Sequence, residues 1–168
     1  MHGDREPTLE EIARRAGVSP RILLKYFSSV GGVMVVTATQ VLDDIVARYG
    51  TLRTGPSLDE RLAGFVDLRA EICEEFMPFF ARTIQMARHT RELDSLIHRG
   101  RSDMREFVAS LFGGDLRGLP GNVRRDLFDE LCMIADVSSW RYLREACERT
   151  VEEAKTVQRA ALRRVLAV

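Results

Sequence analysis

The chain has 168 residues, 45% hydrophobic and 30% charged, enough to bury a substantial core in one domain, or one domain with a small head, and too apolar for a disordered chain. Lys plus Arg and Asp plus Glu number 25 each, so no global field draws the chain to nucleic acid and any basic footprint has to be local. Cys73, Cys132 and Cys147 are odd in number and widely spaced and read as reduced thiols; with no signal peptide and no run of roughly 18 uninterrupted apolar residues, the chain is predicted to be soluble and cytoplasmic, with no membrane partner.

Thr8 and Glu11 form a capping box that opens a short helix, with Leu9, Ile12, Ala13 and Ala16 as its apolar face. Gly17 can adopt the left-handed conformation that ends a helix, and Ser19 then caps a second helix whose first position is Pro20, where a missing N–H costs nothing. On that helix Ile22, Leu23 and Phe27 are expected inward. Arg21, Lys25 and Tyr26 are expected outward, toward phosphates and base edges of a major groove. Arg14 and Arg15 complete the local basic footprint. Cap, glycine, cap and proline in this order define a helix-turn-helix more specifically than an ordinary pair of surface helices, so Thr8, Ser19, Arg21, Lys25 and Tyr26 are candidate DNA-contacting residues.

The segment I-A-R-R-A-G-V-S-P-R-I-L-L-K-Y-F at Ile12–Phe27 resembles the TetR family of one-component transcriptional regulators. Ser28 and Ser29 sit where that family usually has Pro-Ser, and R-E-L-D at Arg91–Asp94 looks like the opening of its seventh helix. The resemblance implies an all-α homodimer, a ligand-responsive repressor with a DNA-binding head on a helical body that takes a small molecule. Three departures accompany it. Only Met1–Pro7 precede the motif where the family has a long first helix, so Leu9, Ile12, Leu23 and Phe27 are expected to lack its cover here; either the natural protein starts further upstream or the reader is degenerate. Leu24 stands at the usual recognition-helix tyrosine, and Val30, followed by Gly31 and Gly32, stands at the usual phosphate-anchoring lysine. Each lost anchor would have released about one counterion, so DNA affinity is expected to be lower and less salt-dependent than in a standard member. The alternative is a non-DNA-binding helical homodimer, a ligand-binding or protein-interaction module left after loss of the first helix.

Past the motif the periodicity predicts only helices. Val33–Tyr49 would link head to body, giving a division into 1–49 (head and linking helix) and 50–168 (ligand-binding and dimerisation body). Ser57 and Glu60 make a second capping box and open a helix to about Glu75, with Leu58, Leu62, Phe65, Leu68, Ile72 and Phe76 as its stripe. Pro78 is expected to restart the chain into Phe79–His89. A helix over about Glu92–Phe112, a loop at Gly113–Gly121, and two long helices over about Asn122–Glu145 and Thr150–Ala167 follow.

The last two helices carry broad apolar faces with small residues that allow close approach. Leu127, Leu131, Ile134, Val151, Ala154, Ala161 and Val165 are the predicted dimer interface, two helices from each protomer making a four-helix bundle; the plain alternative is that these faces close the protomer's own core. Large, soft side chains concentrate between head and interface, and Phe65, Phe76, Met86, His98, Phe107 and Met133 are the candidate lining of a pocket for a small apolar or aromatic ligand, although core packing explains most such residues. His89 reads as a solvated helix end, His98 points either inward or out, and Trp140 belongs to either the pocket floor or the dimer seam. No enzyme is predicted. There is no Gly-rich phosphate loop, no G-x-S-x-G, no metal-ligand spacing and no implied cofactor, and the adjacent acids at Asp43–Asp44, Glu74–Glu75 and Glu152–Glu153 diverge by about 100° on a helix.

Overall fold

The computed structural model describes residues 8–167, and among these it contains eight α-helices and no strand. Met1–Pro7, on which the expectation of a missing first helix rests, lie outside the described residues.

Helix α1 (Leu9–Arg15) starts at Thr8 with the predicted capping box closed in both directions: the Glu11 N–H donates to Thr8 Oγ1 (3.2 Å) and the Thr8 N–H to Glu11 Oε2 (2.8 Å). Gly17, at φ +69°, makes the turn, and Ser19 Oγ accepts from the Ile22 N–H to cap α2 (Pro20–Tyr26). Ala13 and Leu23 are the buried residues of this pair. Ala16 and Ile22 do not point inward as expected. Ala16 is the exposed C-cap of α1, and Ile22 is 51% exposed because a helix as short as α2 can turn only one narrow face toward α1.

Helix α3 (Val30–Thr51) begins three residues earlier than the sequence suggests, because Ser29 Oγ accepts from the Gly32 N–H and stabilises a first turn that contains both glycines. By length and composition α3 is apolar enough to cross a bilayer; here its inner face carries Ala38, Leu42 and Ile45 into the bundle. Helix α4 (Leu58–Ala87) opens at the predicted Ser57–Glu60 box and runs on through Pro78, so the predicted restart is corrected. Proline costs roughly 3 kcal/mol in a helix interior, and α4 outweighs this because it packs against α3, α5, α7 and α8 (the last three spanning Arg91–Phe112, Val137–Arg141 and Val151–Leu166).

The predicted single helix over Asn122–Glu145 is three pieces: α6 (Gly121–Ala135), α7, and a π-helical turn at Tyr142–Ala146. The chain extends at Asp136 (φ −63°, ψ 145°), whose carboxylate caps α7 through the Ser138 N–H at 2.8 Å. A break of this kind strips the last carbonyls of α6 of their helical donors. Side chains from three places supply them. Ser139 Oγ donates to the Met133 carbonyl (2.6 Å), Gln158 Nε2 to Ile134 (2.8 Å) and an Arg69 guanidinium nitrogen to Ala135 (3.0 Å).

The main core joins α4, α5, α6 and α8 through Leu62, Phe65, Val66, Phe107, Phe112, Leu131 and Leu162. A second cluster holds Ala70, Cys73, Trp140 and Ala154. Trp140 therefore belongs to neither the pocket floor nor the dimer seam: it is fully buried, and its Nε1–H donates to Glu74 Oε1 at 2.8 Å.

Candidate nucleic-acid interface and ligand cavity

On α2, Arg21 and Lys25 lie one turn apart and both are exposed, while Tyr26 is 71% exposed with the Lys25 ammonium 5.7 Å from its ring centre. The structure thus brings Arg21, Lys25 and Tyr26 to the outside of one short helix. Thr8 and Ser19 hold the two helix starts, and their oxygens are occupied in capping. Arg14 and Arg15 stand exposed at the end of α1. Exposed Ile22 and Leu24 interrupt this basic surface with apolar side chains.

A cavity of about 130 Å³ lies among α3, α4 and α5, with the break between α6 and α7 forming part of its wall. Helix α3 contributes Leu42, Ile45 and Tyr49, α4 contributes Arg69, Phe80 and Thr83, α5 contributes Ile97, Arg101 and Met104, and the break contributes Asp136 and Val137. Most of the wall is apolar. Arg69 is the exception: it is 5% exposed, and donates to Tyr49 Oη (2.8 Å), to the Ala135 carbonyl (3.0 Å) and weakly to Cys73 Sγ (3.7 Å). Burial works against its charge, and the neighbouring Cys73, Tyr49 and Asp136 outweigh that to hold it above the ordinary arginine value. Burial pushes the Tyr49 phenol and the Cys73 thiol upward, so both keep their protons near neutrality. Phe107 stacks on Tyr49 at 4.3 Å between ring centres and fixes the orientation of its hydroxyl.

None of the six residues expected to line a pocket belongs to this lining. Phe65 and Phe107 are consumed by the core, where Phe65 also meets Phe112 edge-on at 5.5 Å. Phe76 lies beneath the Arg48 guanidinium, Met86 is half-buried near the end of α4, and His98 is exposed with Asp94 at 3.8 Å. Met133 is 63% exposed on α6. Size and softness select for core filling at least as strongly as for a cavity wall, so these properties pointed at the wrong side chains. The missed Arg69 did carry a signal: it falls at helical spacing inside the stripe Leu62, Phe65, Val66, Ile72, Cys73, where a charged side chain has to be buried. Tyr49, near the end of a helix, and Asp136, inside what reads as an uninterrupted helix, carried none.

Of the expected interface residues, Leu131 and Ala154 are fully buried within the protomer and close its own core, because α6 and α8 pack on each other. Leu127, Ile134, Val151, Ala161 and Val165 are half-buried, and Val123, Met133 and Val157 are exposed apolar side chains on the same two helices.

An all-α body carrying a helix-turn-helix head and a half-open cavity against the linking helix defines a class of architecture. The chain is similar over 99% of its length, and over 91% of the other, to a crystal structure assigned to the TetR-family transcriptional regulators, from Rhodococcus sp., with a TM-score of 0.69 and 19% sequence identity. That likeness establishes the fold. No family model and no curated protein matches the sequence.

Proposed function

We propose that the protein is a homodimeric, ligand-responsive DNA-binding transcriptional regulator, a repressor, acting in the cytoplasm, with residues 1–49 as head and linking helix and 50–168 as body. The observation that carries this reading is that one helix serves both sites: α3 starts at the Ser29 cap, directly after the recognition helix α2, and near its other end places Tyr49 on the cavity wall. An occupant that spreads α3 from α4 and α5 moves the head attached to α3. In a dimer it thereby changes the separation of two heads, which one turn of DNA requires to be about 34–36 Å. Dimerisation is through α6 and α8, using Leu127, Ile134, Val151, Ala161 and Val165 with the exposed Val123 and Val157.

Gel shifts against the gene's own promoter region test the DNA assignment. Arg21→Ala is expected to weaken specific binding by about 1–3 kcal/mol, and Lys25→Ala to weaken all sequences about equally. Undiminished binding after both changes overturns it. Ala161→Glu is expected to yield monomers in sedimentation, since an unpaired buried charge costs several kcal/mol. A second reading, a protein-interaction module that does not bind DNA, is favoured by exposed Val18, Ile22 and Leu24 on the head. The same gel shift decides between them.

A further inference from the structure

The cavity is built for more than an apolar guest. Its polar lining consists of Tyr49, Arg69, Thr83, Arg101 and Asp136, and these are not equivalent. The Thr83 hydroxyl is already spent on the Phe79 carbonyl of its own helix at 2.9 Å. Arg101 and Asp136 face each other at 3.9 Å and offset each other's charge. Arg69 remains: among the described residues no carboxylate forms an ion pair with it, and its Nε is buried with no hydrogen-bond partner. A guanidinium offers five N–H donors in a planar fork, and the three acceptors found for Arg69 leave two unused: Nε–H, which has almost no accessible surface, and one proton on Nη1, which remains for a guest. Tyr49 accepts from Arg69, which leaves its own hydroxyl proton to donate. One buried positive charge with unused donors, beside a phenol with an unused proton, lines an otherwise apolar space.

We infer that the cavity takes a monoanionic amphiphile, a carboxylic acid on an aromatic ring or short alkyl chain, with its carboxylate accepting from Arg69 and Tyr49 and its apolar body against Leu42, Ile45, Phe80 and Ile97. This rests on the reading of the cavity as the effector site. Its volume of about 130 Å³ is enough for roughly one aromatic ring. A cation is repelled by Arg69, and a neutral guest leaves the Arg69 charge with Asp136 as its only nearby carboxylate among the described residues. Only an anion meets both the charge and the unused donors, through charge-assisted bonds about twice as strong as neutral ones.

The test pairs acids with their neutral counterparts on the full chain: benzoate against benzyl alcohol, 3-phenylpropionate against 3-phenylpropanol, and octanoate against octan-1-ol, by calorimetry and thermal shift at pH 7. At least one acid is expected to bind about 10- to 100-fold tighter than its alcohol, the range that hydrogen bonds to a charged group supply. Arg69→Met, of similar length and apolar, is expected to abolish that ratio while leaving alcohol binding in place. Tyr49→Phe, which retains the stack on Phe107, is expected to reduce it several-fold and serves if Arg69→Met does not fold. Alcohols binding as tightly as acids to the wild-type chain overturn the inference and leave the cavity reading intact. If no acid and no alcohol binds, the cavity reading falls and the inference with it.

Discussion

Helices α1 and α2 bury only Ala13 and Leu23 and take their shape from two capping side chains and one glycine, whereas α4, α5, α6 and α8 enclose a continuous core from Leu62 to Leu166. Both regions are purely helical, yet they hold together by different means. In the head, local hydrogen bonds fix the geometry and packing contributes little; in the body, packing overrides local preference to the point of carrying Pro78 through the middle of α4. A segment held by caps opens at low cost, and one held by a core opens only with the whole domain. In the proposed regulator the head would thus be the part that reorients on its linking helix, and the body the part that holds the cavity.

The largest effect that would sharpen this contrast is in the core. Phe65→Ala, which removes a ring packed on both Phe107 and Phe112, is expected to cost about 3–5 kcal/mol in urea unfolding, with α1 and α2 no less ordered than before. Next comes the buried break after α6: Gln158→Ala leaves the Ile134 carbonyl without its donor and is expected to cost about 1–3 kcal/mol in the same measurement. Ser19→Ala removes the α2 cap and is expected to cost about 1 kcal/mol, read as faster amide hydrogen exchange confined to α1 and α2. The contrast breaks if that substitution lowers the urea midpoint as far as Gln158→Ala does.

The smallest effect concerns acid. Glu74 is held below the ordinary carboxylate value by hydrogen bonds from Arg144 chiefly, with burial opposing and Trp140 adding to the lowering. Its folded pKa lies under the unfolded value of about 4.3, so its contribution is complete above that pH and lost as pH falls through the folded value. Unfolding free energies at pH 7 and pH 3 should differ less in Glu74→Gln than in the wild type. An unchanged difference would remove Glu74 from the acid response.

The same division decides what the sequence revealed. Most features whose geometry depends on near neighbours were legible: the Thr8–Glu11 and Ser57–Glu60 boxes, the Gly17 turn and the outward Arg21 and Lys25 stand as read, while the local Ser29 cap was missed because Gly31 and Gly32 argue against a helical first turn. Features decided by distant contacts were not. The chain extends at Asp136 because Ser139, Gln158 and Arg69 can reach the carbonyls it frees, and two of those donors lie on other helices, 24 and 66 residues away in sequence. The cavity was misplaced for a related reason. Phe65 and Phe107 look equally fit for wall or core, and only the packing of α4 on α5 assigns them to the core while leaving Tyr49 and Arg69 facing the gap.

Arg69 touches more than the cavity. One nitrogen of its guanidinium donates to Tyr49 near the end of α3, and another to the last carbonyl of α6, a helix of the proposed dimer face. In the proposed complex a carboxylate on the donor that these partners leave free would share one rigid planar group with both, so occupancy, head position and subunit contact would meet at a single side chain. For the proposed regulator, thermodynamic linkage would then run in every direction: whatever factor an acid took from operator affinity, operator would take from acid affinity, and the association constant of the protomers would enter the same exchange.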